Sequence, residues 1–176
     1  TPPLAARVNE RNKARKDHII TVEDPVEIVQ ESIGCNVTQR QVGSHTRSFS
    51  SALKGALRED PDIMAIGELR DLETIEMAIS ASETGHLVIG TMHTSDASTT
   101  LNRLLDVFPP AQQTQIRSSV AESLRGLLCQ PILASVEGGV VLGGEIFATH
   151  TKTHAVIRAW KMWSATTVAS KRIQSV

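Results

Sequence analysis

Leu57-Arg58-Glu59-Asp60-Pro61-Asp62-Ile63-Met64-Ala65-Ile66-Gly67-Glu68-Leu69-Arg70-Asp71 is a short apolar run fenced by acids and closed by Gly-Glu. Residues 63–66 carry no charge, and Pro61 and Gly67 bound them, which reads as a strand buried on both faces. Open parallel sheets bind ligands outside the carboxyl ends of their strands, so Glu68 leaves the strand where chemistry is done. A solvated loop acid is the other reading of Glu68, and this segment alone leaves both open.

Outward from this strand, helices and strands alternate. Residues 46–59 predict a helix capped at Thr46 or Ser48, with Phe49, Ala52, Leu53, Ala56 and Leu57 on its apolar side. Residues 71–84 predict another, capped by Asp71 and stopped by Gly85. Ile19-Ile20-Thr21-Val22 is a second β-branched strand, and it too ends in acid, at Glu23-Asp24 before Pro25. A charged turn is the plain alternative there. Two carboxylates at neighbouring strand ends can hold Mg²⁺ through its water shell or orient a water for attack on a phosphate.

His86-Leu87-Val88-Ile89-Gly90-Thr91-Met92-His93 is a third strand with a histidine at each end. Along an extended chain the two rings' backbones stand roughly 23 Å apart, which argues against one shared metal. His93, at the carboxyl end, is expected on the rim of Glu68 and Glu23, within reach of a terminal phosphate. Thr91, Thr94 and Ser95 add hydroxyl donors beside it. His86, at the amino end, reads better as an orienting or packing residue.

The remaining segments complete an α/β pattern. Leu4 to Asp17 predicts a helix tail with a basic end, although Pro2-Pro3 interrupts its start. Residues 32–41 predict a small extended excursion, and 98–107 carry Leu101, Leu104 and Leu105. Residues 111–130 predict a helix burying Ile116, Val120, Leu124, Leu127 and Leu128. Two extended runs around Glu137-Gly138-Gly139 predict a hairpin at the antiparallel edge of the sheet. Val156, Ile157, Trp160 and Trp163 fall at helical spacing, so 154–176 is expected to be helical.

Composition limits the partners. With 176 residues, 40% hydrophobic and 21% charged, the chain can bury one core and is not disordered. A formal net charge of -1 with no long single-sign block gives no case for nucleic acid or an anionic membrane surface. Cys35 and Cys129 form no CxxC and fit reduced cytoplasmic thiols. No apolar run would span a bilayer, and no signal-peptide core opens the chain. The absence of an initial Met is what a fragment would show. No GxxxxGK[ST] phosphate cradle occurs in these residues.

Glu23-Asp24-Pro25-Val26-Glu27 resembles the Asp box, and Leu57 to Asp71 the Walker B signature, of the type II/type IV secretion ATPase superfamily. Thr84-Gly85-His86-Leu87-Val88 through Thr91-Met92-His93-Thr94 resembles its His box. The resemblance covers roughly residues 1–158. Asp106-Val107-Phe108-Pro109 and the lack of a tetracysteine zinc insert resemble the PilT-type pilus retraction branch more than the assembly or secretion branches. It implies a truncated RecA-like P-loop NTPase core over 1–150, a parallel central sheet with an antiparallel edge hairpin, and a helical segment over 151–176.

By position, the resemblance makes Glu68 the residue that activates or orients the attacking water. It makes Glu23 part of the Mg²⁺ and water network, and His93 a contact for the γ-phosphate. Asp24, Arg70, Asp71, His86 and Thr94 would complete the nucleotide and Mg²⁺ surroundings, with no metal held by protein alone. The implied cofactors are ATP and Mg²⁺. The implied assembly is a homo-hexamer on the cytoplasmic face of a bacterial inner membrane, working with a platform protein of the pilus machinery. Without the phosphate loop, the 176-residue chain is expected not to hydrolyse ATP. The runner-up readings are an assembly or secretion ATPase of the same superfamily and a non-catalytic module that docks onto a neighbouring subunit. His154 to Trp163 keeps little of the helix that the family links to retraction beyond Ile157-Arg158.

Overall fold

The computed structural model describes residues 2–134, 140–149, 157 and 170–173. The chain divides into two compact units, Thr1–Met92 and His93–Val176.

The first unit is a parallel sheet with helices packed on both faces. Its elements are α1 (Pro2–Ala14), β1 (His18–Glu23), β2 (Asn36–Gln41), α2 (Phe49–Ala56), β3 (Ile63–Ile66), α3 (Leu72–Glu83) and β4 (Leu87–Gly90). The strand order is β2-β1-β3-β4, and every neighbouring pair is parallel. The strand alternation sorts residues between the faces. Ile19, Ile63 and Ala65 pack with Leu4 and Val8 of α1, while Ile20, Val22, Met64 and Ile66 pack with Ala52, Leu53, Ala56, Ala78 and Ala81 of α2 and α3. All four residues of β3 are buried, as its uncharged run requires. Burying Ile63, Met64 and Ile66 contributes roughly 1.5–3 kcal/mol each, which offsets the ~1–2 kcal/mol per residue needed to order the backbone.

Local chemistry sets the helix ends. Pro2 and Pro3 do not interrupt α1 but open it, because the first turn has no partner for the N–H that proline lacks. Ser48 caps α2 by accepting from the Ser51 amide, and Asp71 caps α3 by accepting from the Thr74 amide. Gly85, at φ +100°, lets the chain leave α3 for β4. The loop between β1 and β2 is fixed to α1 by the fully buried Asn12, whose amide donates to the Glu31 carbonyl and accepts from the Ile33 and Cys35 amides.

The second unit holds α4 (Ala97–Asp106), α5 (Pro110–Ser123), β5 (Gly126–Cys129), β6 (Ile132–Ala134), β7 (Val140–Leu142), β8 (Gly144–Ala148) and β9 (Ser170–Ile173). Strands β5, β8 and β9 form an antiparallel sheet in the order β5-β8-β9. The expected hairpin is present as β6 and β7, antiparallel, and it makes a two-stranded sheet of its own. Ala97, Ala121, Cys129, Phe147 and Ile157 form this unit's core, with Leu124 and Leu127 against it.

Two sequence expectations are corrected here. The helix foreseen over 111–130 ends at Ser123, and residues 126–129 are a strand. A Cβ on Gly126 would stand 3.1 Å from the Phe147 carbonyl oxygen, so glycine lets β5 close onto β8, where Leu127 pairs with Phe147. The apolar spacing of Leu124, Leu127 and Leu128 fits a helix and a strand alike. Within the stretch expected to be helical over 154–176, Ile157 is helical, but Ser170–Ile173 is a strand paired with β8. The Trp160 and Trp163 expectation lies outside the described residues.

Helix α4 carries a pH dependence. Its cap, Asp96, accepts from the Thr99 amide at 2.8 Å and from the Thr99 hydroxyl at 2.8 Å, and these bonds hold its carboxyl below the ordinary carboxylate range. A lowered folded value means that the cap contributes fully above the unfolded value near 4 and is lost as pH falls through the folded one. Protection of the first-turn amides of α4 against exchange, relative to the intrinsic rate, should therefore be full at pH 5 and fall only below about pH 4. Asp96→Ala should remove that acid transition.

Candidate active site

The carboxyl ends of the four parallel strands lie on one rim, and two of them deliver carboxylates there. Glu23 is the last residue of β1, and Glu68 follows β3 after Gly67. Gly67 lets these ends meet. A Cβ at that position would stand 3.1 Å from the Val22 carbonyl oxygen and 3.2 Å from Glu23 Cα. The Gly67 amide donates to the Val22 carbonyl at 2.7 Å, which ties the two tips by a backbone bond. The end of β4 joins them, because the Leu69 amide donates to the Thr91 carbonyl at 2.9 Å and the Thr91 hydroxyl donates to the Gly67 carbonyl.

The two carboxylates are held in different ways. Glu23 is buried under α1, and its Oε1 accepts from the Thr21 hydroxyl at 2.6 Å and from the Gln39 amide at 2.9 Å. Glu68 is paired with Arg70, whose Nε lies 2.5 Å from its Oε1. Arg70 itself is largely exposed. The hydrogen bond to Glu68 and then the charge of Glu68 hold the Arg70 guanidinium above its ordinary range, and the nearby Asp24 charge adds to this. Scaffold donors thus fix one acid, and an exposed cation pairs with the other.

The other predicted residues divide. Asp24 is exposed beside Glu23 on the rim, before a cis Asp24–Pro25 bond. Asp71 gives both oxygens to the cap of α3, accepting from the Thr74 amide at 2.9 Å and the Thr74 hydroxyl at 2.7 Å. His86 precedes β4 and so stands at the amino ends of the strands, away from the rim. Its Nδ1 lies 3.0 Å from both the Thr84 hydroxyl and the Ala81 carbonyl, where it closes the end of α3. His93 is exposed and opens the second unit, and its carbonyl accepts from Arg103 of α4 at 3.0 Å. Thr94 is hydrogen-bonded to the Thr100 hydroxyl at 2.6 Å.

Three contributors escaped the sequence reading: Thr21, Gln39 and Gly67. For the first two the signal was alternation. Thr21 and Gln39 occupy the same inward row as Ile19 and Val37, and a polar residue there needs a polar partner. For Gly67 only the packed strands reveal the close approach.

Replacing Gly67 by alanine tests the approach of the tips. Its Cβ would meet backbone atoms that must give by a few tenths of an ångström. Thermal unfolding should register a loss of about 1–2 kcal/mol.

Residues 3–160 match the family model described as "Type II/IV secretion system protein". The chain belongs to that family. Among type II/IV secretion system proteins, it is 46% identical over 159 residues to the "Type IV pilus retractation ATPase PilT" of Pseudomonas aeruginosa, covering 90% of this chain and 46% of that protein. It is 44% identical over 160 residues to the "Twitching motility protein" of Neisseria gonorrhoeae, covering 90% of this chain and 43% of the relative. Its fold matches the crystal structure of the pilus retraction motor PilT with bound ADP at a TM-score of 0.88 and 43% identity, over 94% of this chain and 48% of that one. The chain therefore spans under half the length of these relatives. The α/β fold with a parallel central sheet that the Asp-box, Walker B and His-box resemblance implied is the family fold.

Proposed function

We propose that this chain is the carboxylate-bearing part of an ATP-hydrolysing motor that powers retraction of a type IV pilus. The observation that carries the reading is the pair of adjoining parallel strand ends, tied by the backbone bond from Gly67 to Val22, that set Glu23 and Glu68 on one rim. Hard carboxylate oxygens on one rim are the donors that Mg²⁺ takes when waters and phosphate oxygens fill its other positions, so the residues present fit the metal side of a Mg²⁺–ATP site. Bound ATP supplies the phosphoryl group that is transferred to water. Glu68 would orient that water and accept its proton, Glu23 would hold the water shell of the metal, and His93 would contact the terminal phosphate. Asp24 and Arg70 shape the charge at the rim. Thr94 is a further hydroxyl on the His93 side, whereas Asp71 and His86 act through α3.

The similarity to retraction and twitching proteins over 90% of the chain supports the retraction branch. Subunits would assemble as a homo-hexamer on the cytoplasmic face of the inner membrane, against the platform protein of the pilus machinery and without nucleic acid. Among the described residues no helix is long and apolar enough to cross a membrane.

The phosphate cradle is not part of these 176 residues. The isolated chain should therefore show no Mg²⁺-dependent ATP turnover above background in a phosphate-release assay, whereas the protein as its gene encodes it should turn over ATP. Robust metal-dependent hydrolysis by the isolated chain would show that the rim alone suffices and would remove the need for a phosphate loop.

A further inference from the structure

We infer that Gln39, with Thr21, is the positioning device for the Glu23 carboxylate, an inference that rests on the reading of Glu23 given above. In the register of β1 and β2, Gln39 lies opposite Thr21, so Thr21, Glu23 and Gln39 share the face turned to α1. Both hydrogen bonds fall on one carboxylate oxygen: the Thr21 hydroxyl at 2.6 Å and the Gln39 Nε2 at 2.9 Å. Gln39 is itself anchored at its other atoms. Its Nε2 also donates to the Ile28 carbonyl at 3.0 Å, and its Oε1 accepts from the Gln30 amide at 2.7 Å. One side chain thus joins the Glu23 carboxylate to the loop that leaves it.

The space around this network decides its importance. The void between the network and Leu4, Ala5 and Val8 of α1 is about 10 Å³, room for one water at most. On the α1 side at most one water could stand in for the two donors, so Gln39 and Thr21 set the orientation of Glu23. A carboxylate held through one oxygen by a buried hydroxyl and a half-buried amide keeps its rotamer and leaves the other oxygen for a ligand. Neither residue needs to touch nucleotide.

Two substitutions test this in the protein as its gene encodes it. Gln39→Leu removes the amide at similar length, and Thr21→Val removes only the hydroxyl. Each should lower kcat roughly 10- to 100-fold with KM for ATP little changed, and Thr21→Ser should restore turnover. In a Glu23→Gln background, Gln39→Leu should add nothing, because its effect passes through Glu23. A full further loss in that background, or wild-type kcat for both single variants, would overturn the inference while leaving the role of Glu23 standing. Wild-type turnover by Glu23→Gln alone would instead overturn the reading of Glu23 and the inference with it. A measurement free of turnover uses the 176-residue chain: the Gln39 side-chain amide protons should exchange slowly and shift on Glu23→Gln. Exchange at the rate of a free glutamine, with no shift, would show that the contact is absent.

Discussion

Replacing Glu68 by glutamine is expected to lower ATP turnover in the gene-encoded protein by roughly 10²- to 10⁴-fold while leaving nucleotide affinity nearly unchanged. The exchange is nearly isosteric and removes the negative charge, and with it the ability to take a proton. Gly67 and Leu69 keep their backbone bonds to Val22 and Thr91, so the rim keeps its shape. Arg70 loses its charged partner, and because it is largely exposed its release leaves no buried charge behind. The neighbouring Asp71→Asn provides the contrast. Asparagine caps a helix as well as aspartate does, so α3 should persist and turnover should change little. Steady-state kinetics beside nucleotide binding separates the two acids. A Glu68→Gln protein that hydrolyses ATP at the normal rate would remove this residue from the chemistry.

The largest loss of stability should follow Asn12→Ala. Asn12 is fully buried, and it spends its carboxamide on three backbone groups: the Glu31 carbonyl at 2.6 Å, the Ile33 amide at 3.0 Å and the Cys35 amide at 3.2 Å. Truncation removes all three bonds. It leaves the amide of the buried Cys35 without this partner, at a cost of about 3 kcal/mol in all. The adjoining Gly34 sharpens the point. A Cβ there would stand 2.5 Å from the Arg15 carbonyl oxygen and 2.8 Å from that of Asn12, so α1 and the β1–β2 loop touch through backbone with no slack. Urea unfolding of the 176-residue chain measures the loss. A change under about 1 kcal/mol would mean that water replaces the clamp.

Much of the first unit was legible in the sequence because parallel strands buried on both faces advertise themselves. Ile63 to Ile66 and Ile19 to Val22 are uncharged runs that end in acids, and both become adjacent parallel strands. Caps were legible too, since Ser48 and Asp71 precede apolar periodicity with the right chemistry. Short apolar runs with leucines three and four apart were not. Leu124 to Leu128 satisfies either period, and only the pairing of β5 with β8 chose the strand. Of the site, the acids could be read because chemistry needs them at strand ends. Their supports could not: Gln39 acts through a register that no single strand contains, and Gly67 through the backbone of β1, distant in sequence, at Val22 and Glu23. His86 was legible as a packing residue from its place at the amino end of its strand. Its place in the His-box pattern drew it toward nucleotide, whereas strand direction puts it at the far end of β4, on α3.

The most direct test of the account is a crystal structure of the gene-encoded protein with Mg²⁺ and a non-hydrolysable ATP analogue. The terminal phosphate should lie beyond the carboxyl ends of β1 and β3. Glu23 should be in the water shell of the metal, and Glu68 should face the phosphate with Arg70 moved aside. Nucleotide bound at the amino ends of the strands, or with Glu23 and Glu68 both remote from metal and phosphate, would contradict it.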